Sequence, residues 1–288
     1  MTEGGKVTYV ALGDSYASGV GLAPSLAYPV LLRERGGDRF STLTQAASSG
    51  AVTGDVTGSQ VGSLRDGTQT VTLTIGGNDV GFASVLAACL YSPEPRLQAV
   101  LDSGGTGWRR QLRVGAEQRI AFLGGPAAVP QERSVPLVRV LSDVARRAPD
   151  AEILVTGYPR LLGDRPTSSG HRASDTLPLF VGAEDAAWLS AQSDALDAAI
   201  AAAVERAQAS GVRARFVDVS ATFAGHALSD RETPWVNGVV LASMTSLVPD
   251  ASSFHLTAEG SAAYASALTS ADGTGQPPEA FVDTAHER

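Results

Sequence analysis

The chain has 288 residues, 43% of them hydrophobic, which is enough to bury a sizeable core. Its 22 Lys and Arg against 30 Asp and Glu leave a formal net charge of −8, with no basic run to grip phosphates, so a nucleic-acid partner is not expected. A single cysteine, Cys89, excludes an intramolecular disulfide and points to a reducing, cytoplasmic setting.

No stretch is long and apolar enough to span a bilayer. The opening MTEGGKVTYV lacks the charged and apolar regions of a signal peptide, as a trimmed secreted form also would. In chain order, VTYVAL (7–12) is a β-rich run closed by glycine, and 25–35 has a helical pattern. A short strand is expected at 40–44, a helix at 53–61, a strand at 71–77 and a helix at 79–90. Residues 91–135 are broken by Pro and Gly and read as irregular. A helix at 136–148 and a strand at 151–159 follow, and 160–180 is again irregular. Both irregular stretches read as insertions forming pocket walls. Residues 181–210 form a long Ala-rich helix with Leu189, Leu196, Ile200 and Val204 near one face and Gly211 as its stop. A fifth strand is expected at 212–219 and a last helix at 257–268, with Thr257 as its N-cap.

Alternating strands and helices argue for a three-layer α/β/α sandwich around a parallel sheet of about five strands. One domain over 1–269 is the simplest account, and the polar 270–288 reads as a mobile tail. Ligands of such sheets bind at the carboxyl ends of the strands. The unusual polar residues sit there.

Ser15, in ALGDSYASG, ends the first strand. Alone it reads as a helix cap. The glycines beside it allow a tight turn and close approach, which suits a nucleophile. A serine nucleophile needs a base and an oxyanion site. IGGNDVGF (75–82) offers the Asn78 amide, QAASSGAVTGDV (45–56) offers the Gly50 N–H, and PDASSFHLTAEG (249–260) offers His255. Each has a bland reading too: Asn78 as a cap, Gly50 as a turn glycine, His255 as a helix-start histidine. Cys89, on an apolar helix face, reads as core. No HExxH or CxxC spacing suggests a metal.

The blocks GDSYASG, SSGAVTGD, IGGNDVGF and SFHLTAEG, in this order, resemble those of the GDSL or SGNH hydrolase superfamily, in the lipase and esterase branch common in actinobacteria. TGYPRL (156–161) and FAGHALSDRETPWVNG (223–238) resemble connecting segments of that branch, so the likeness spans about 7–268. It implies a flavodoxin-like strand order and a serine esterase working through an acyl-enzyme. Ser15 would be the nucleophile and His255 the general base. Ser15 N–H, Gly50 N–H and the Asn78 amide would form the oxyanion hole, and Asp14 would brace the turn. No metal or organic cofactor is implied. A lipase or phospholipase, or an acyltransferase passing the same acyl group to another acceptor, are the alternatives, with a small-molecule or lipid ester as substrate.

Two departures stand out. The family pattern has Asp three residues before the histidine, where this chain has Ser252. A backbone carbonyl, from Ser252 or Ser253, is therefore expected to orient His255 in a Ser-His dyad, with Asp250 as the less favoured acid. Secreted members often carry disulfides, and positions that would suggest them are here Ala47 and Ser229.

Overall fold

The computed structural model describes residues 7–102, 107–125, 133–163, 171–174, 177, 179–230, 232–243 and 248–271. Five parallel strands form the central sheet: β1 (Val7–Gly13), β2 (Phe40–Gln45), β3 (Thr68–Thr74), β4 (Glu152–Thr156) and β5 (Ala214–Val217). Their spatial order is β2-β1-β3-β4-β5, the expected flavodoxin-like arrangement. Gly13 pairs with Thr74 and Leu73 with Val155, so β1, β3 and β4 end level at one edge.

Strand β3 begins three residues before its apolar run. Side chains alternate along a strand, so Thr68, Thr70, Thr72 and Thr74 share a face, and all are buried. Buried hydroxyls need partners. Tyr9 bonds Thr72 at 2.8 Å, Tyr28 bonds Thr74 at 2.8 Å, and Thr74 bonds Thr156 at 2.6 Å. The Tyr264 phenol donates to the carbonyl of Gly157 at 2.6 Å and lies 2.9 Å from the Thr156 hydroxyl, with which it can also bond. Each pair contributes only about 1 kcal/mol net, but each orphaned hydroxyl would cost more.

Helices cover the sheet. α1 (Ser15–Ser18) is a single turn after β1, and α2 (Tyr28–Arg35) brings Tyr28 to β3. α3 (Thr53–Gly58) follows β2. The helix expected at 79–90 is two helices, α4 (Gly77–Val80) and α5 (Phe82–Cys89). Gly81 takes φ 76° between them, a left-handed turn that ends the first and redirects the second.

The stretch read as irregular holds α6 (Pro95–Leu101) and the 17-residue α7 (Trp108–Gly124). The buried stripe of α7 is only Ala116, Ile120 and Leu123, too sparse to stand out among its arginines. Tertiary packing against a later helix stabilises it instead. α8 (Leu137–Arg147) and the 27-residue α9 (Ala183–Ala209) lie close to the expected bounds. α10 (Ala258–Ala271) starts after Thr257, whose Oγ1 accepts the Gly260 N–H at 3.2 Å. It packs on α2, with Tyr264 and Tyr28 stacked at 4.7 Å. Residues 272–288, most of the expected tail, lie outside the described residues. So do 103–106, 126–132, 164–170, 175–176 and 178 of the two expected insertions.

Candidate active site

The turn that presents Ser15 is built by its neighbours. Gly13 has φ 131°, and a Cβ there would sit 2.1 Å from the carbonyl oxygen of Thr74, so a side chain would push β1 off β3. The side-chain amide of Gln60 accepts from Gly13 N–H at 2.7 Å and donates to its carbonyl at 2.8 Å. Asp14 N–H donates to Thr74 O at 2.9 Å. The Asp14 side chain then caps α1, accepting from Tyr16 N–H at 2.9 Å. Ser15 is the first residue of that helix and 8% exposed. A first-turn N–H has no intrahelical acceptor, so the Ser15 amide is open to a ligand.

Asn78 stands on α4, one sheet position away. Its Nδ2 donates to Ala51 O at 2.9 Å, which sets the orientation of the amide and leaves its second N–H for another acceptor. The next residue, Asp79, is buried and accepts from Thr53 N–H at 3.0 Å and from the Thr53 hydroxyl at 2.6 Å. Burial pushes its carboxyl above the usual carboxylate range. That pair ties α4 to α3 and so to the loop holding Gly50. Gly50 is exposed, with φ 75°, and its N–H makes no hydrogen bond among the described residues.

His255 comes from a loop rather than a strand end. Its Nδ1 lies 3.0 Å from the carbonyl of Ser253. A carbonyl only accepts, so Nδ1 carries the proton and Nε2 presents a lone pair. Burial holds its pKa below the ordinary histidine value, against the contrary pull of the Ser253 and Ala251 carbonyls. Asn237 grips the loop three times. Its N–H donates to His255 O at 2.8 Å, its Nδ2 to Ser252 O at 3.2 Å, and its carbonyl accepts from Phe254 N–H at 3.1 Å. Phe254 takes φ 62°, a strained value for a side chain with a Cβ. Tyr16 holds it there, donating from its phenol to Phe254 O at 2.8 Å.

Ser15, Gly50, Asn78, Ser253 and His255 all line one cavity of about 190 Å³. The side chains of Ser15 and His255 are not hydrogen-bonded to each other, a looseness common before substrate tightens such pairs. Ser252 and Asp250 do not line the cavity. Asp250 instead accepts from Ser252 N–H at 2.8 Å, and the Ser252 hydrogen bonds hold its carboxyl below the usual range. The inner wall is apolar, with Phe82, Leu86, Leu161 and Leu196.

Reading the sequence alone missed Tyr16, Tyr158 and Asn237. Tyr158 follows β4 by two residues, and its phenol donates to Asp14 Oδ2 at 2.5 Å. It sits in TGYPRL at a strand's carboxyl end, the one signal that could have drawn attention to it. Asp14 itself is fully buried, and desolvation pushes its carboxyl up to about 7, against the hydrogen bonds from Tyr158 and Tyr16 N–H.

The chain is similar to a lipase of Streptomyces rimosus, 33% identical over 276 residues, which cover 91% of this chain and 86% of that one. It is also 33% identical to Lipase 1 of Streptomyces coelicolor over 80% of this chain and 76% of that protein. Among solved structures, an extracellular lipase of Streptomyces rimosus superposes with TM-score 0.68 and 28% identity, covering 92% of this chain and 99% of that one. A phospholipase A1 of Streptomyces albidoflavus does so with TM-score 0.69 and 29% identity, at the same coverage. The model of the GDSL-like lipase/acylhydrolase family matches residues 11–263. With that match over most of its length and lipases among its relatives, the chain belongs to the GDSL-like lipase/acylhydrolase family and is a serine ester hydrolase.

Proposed function

We propose that the protein hydrolyses a carboxylic ester with a Ser15–His255 dyad whose histidine is oriented by the main chain. The carrying observation is that Ser15, Gly50, Asn78 and His255, from four separate segments, line one cavity while Ser253 O faces Nδ1. His255 Nε2 takes the Ser15 proton as Oγ bonds the acyl carbon. The carbonyl oxygen, now an oxyanion, accepts from Ser15 N–H, Gly50 N–H and Asn78 Nδ2–H. Nε2 then gives the proton to the leaving alcohol oxygen, and the C–O bond breaks. Water, deprotonated by the same nitrogen, attacks the acyl-serine and releases the acid with Ser15 restored.

The apolar wall of Phe82, Leu86, Leu161 and Leu196 takes the acyl half. The similar lipases and phospholipase support lipid esters as the class. We read 1–269 as the single catalytic domain, because its buried residues form one continuous core cluster. No helix among the described residues is long and apolar enough to cross a membrane. The similar Streptomyces rimosus lipase is described as extracellular, and that likeness supports export over the cytoplasmic setting that lone Cys89 suggested.

The test is hydrolysis of p-nitrophenyl esters from acetyl to palmitoyl, and of phosphatidylcholine, by wild type, Ser15→Ala and His255→Ala. Both variants are expected to lose more than about 10³-fold in kcat/KM. Full activity in Ser15→Ala would sink the assignment.

A further inference from the structure

Two parts of the candidate site sit on different strands and must keep a fixed separation: the Ser15 turn after β1, and the α4 turn carrying Asn78 after β3. The backbones meet through Asp14 N–H and Thr74 O, before either functional residue is reached. Beyond that point, one side chain from a third strand spans the gap. The Tyr158 phenol donates to Asp14 Oδ2 at 2.5 Å and accepts from Gly77 N–H at 3.1 Å. Asp14 is the residue before Ser15, and Gly77 the residue before Asn78. The ring is clamped edge-on against Tyr16, 5.3 Å between centroids at 83°, and Tyr158 N–H is itself held by Asp197 Oδ1 at 2.8 Å.

We propose that Tyr158 is a positioning residue that sets the distance between the nucleophile and the Asn78 oxyanion donor. This rests on the roles given to Ser15 and Asn78 above. Transition-state stabilisation by an amide donor depends on its placement against the developing oxyanion, not on ground-state binding. Loosening the bridge therefore lowers kcat and leaves KM in place. The phenol, not the ring, does this, because the ring's contact with Tyr16 survives its removal.

The experiment uses the full chain, a p-nitrophenyl ester that wild type turns over, and the variants Tyr158→Phe, Asn78→Ala and their double. Tyr158→Phe is expected to lower kcat about 10- to 100-fold with KM within about twofold of wild type, as expected for a small misplacement of a reacting group. The rate of fluorophosphonate labelling of Ser15 should fall in parallel. In the double variant the Asn78→Ala loss should shrink well below its value in the wild-type background, because a misplaced donor has less to lose. A purely structural tyrosine would lower Tm while the two kcat losses multiplied in full. That result, or a Tyr158→Phe kcat within twofold of wild type, overturns the proposal. If Tyr158→Phe does not fold, Asp14→Asn weakens the other end, because an amide offers one acceptor oxygen to the two donors Tyr16 N–H and Tyr158, and it is read against Asn78→Ala by the same criteria. Ser15→Ala run alongside separates the failures. An active Ser15→Ala would break the functional reading, whereas an inactive Ser15→Ala beside a normal Tyr158→Phe breaks this inference alone.

Discussion

The two halves of the site are held by different means. The Ser15 and Asn78 half stands on strand ends: Gly13 is gripped by Gln60, Asp14 by Thr74 and Tyr158, and Asp79 by Thr53. The His255 half sits in a loop next to an isolated β-bridge, Val236 to Leu256, and the start of α10. Hydrogen bonds from Asn237 and Tyr16 hold it, with one residue at positive φ. Buried polar groups on a sheet are costly to disturb, so the first half is tied to global stability. Loop contacts open at lower cost, so substitutions in the second half should disturb folding less. Tyr16 belongs to both halves, one residue after Ser15 and bonded to Phe254 O.

That contrast can be broken at several points. Asn78→Ala has the largest expected effect, about 10²- to 10³-fold in kcat, the usual worth of one oxyanion donor. Its lost bond to Ala51 should lower Tm by no more than about 4 °C, checked by thermal unfolding beside steady-state kinetics.

The pH profile comes next. Burial and a neutral carbonyl partner depress the His255 pKa, so the base stays unprotonated below the usual histidine midpoint. kcat/KM should therefore show a limb of about tenfold per pH unit with its midpoint under about 6.5, below any smaller step that Asp14 adds. Asp14, at about 7, titrates separately, and Asp14→Asn should leave the His255 limb in place at a lower overall rate. A midpoint above that of free histidine would mean a carboxylate supports the imidazolium after all.

Tyr16→Phe should cost about tenfold in kcat/KM, because it leaves the Phe254 carbonyl of a strained residue without its donor. Its Tm should move less than that of Tyr158→Phe if the loop half is energetically the looser one. Asp250→Asn is the smallest effect, within about twofold by steady-state kinetics. The carboxylate lies outside the cavity, and Ser252 N–H, not His255, is its partner.

Much of this was legible before any coordinates. Strands β1 and β4 announce themselves as apolar β-branched runs, and α9 as a long apolar stripe closed by Gly211. The start of β3 was hidden because its buried face is threonine, which pairs with tyrosines from elsewhere in the chain. Helix α7 was hidden because its stability comes from packing on α9, not from its own pattern. Ser15, Gly50, Asn78 and His255 were named from short blocks, and the structure brings them to one cavity. Their supports could not be read that way. Tyr158 lies 144 residues from Asp14 and 81 from Gly77, and nothing local in TGYPRL says which strand end it will face.

The carbonyl facing His255 has an unusual heredity. A carboxylate that orients a histidine can be erased by one codon change, whereas Ser253 O persists whatever residue stands at 253. On the dyad reading, a library of point variants would find Ser15, His255 and Asn78 and pass silently over the third partner. Only a change in the path of the chain removes it. Proline at 254, whose ring demands φ near −65° where the loop needs 62°, is the substitution that would expose it.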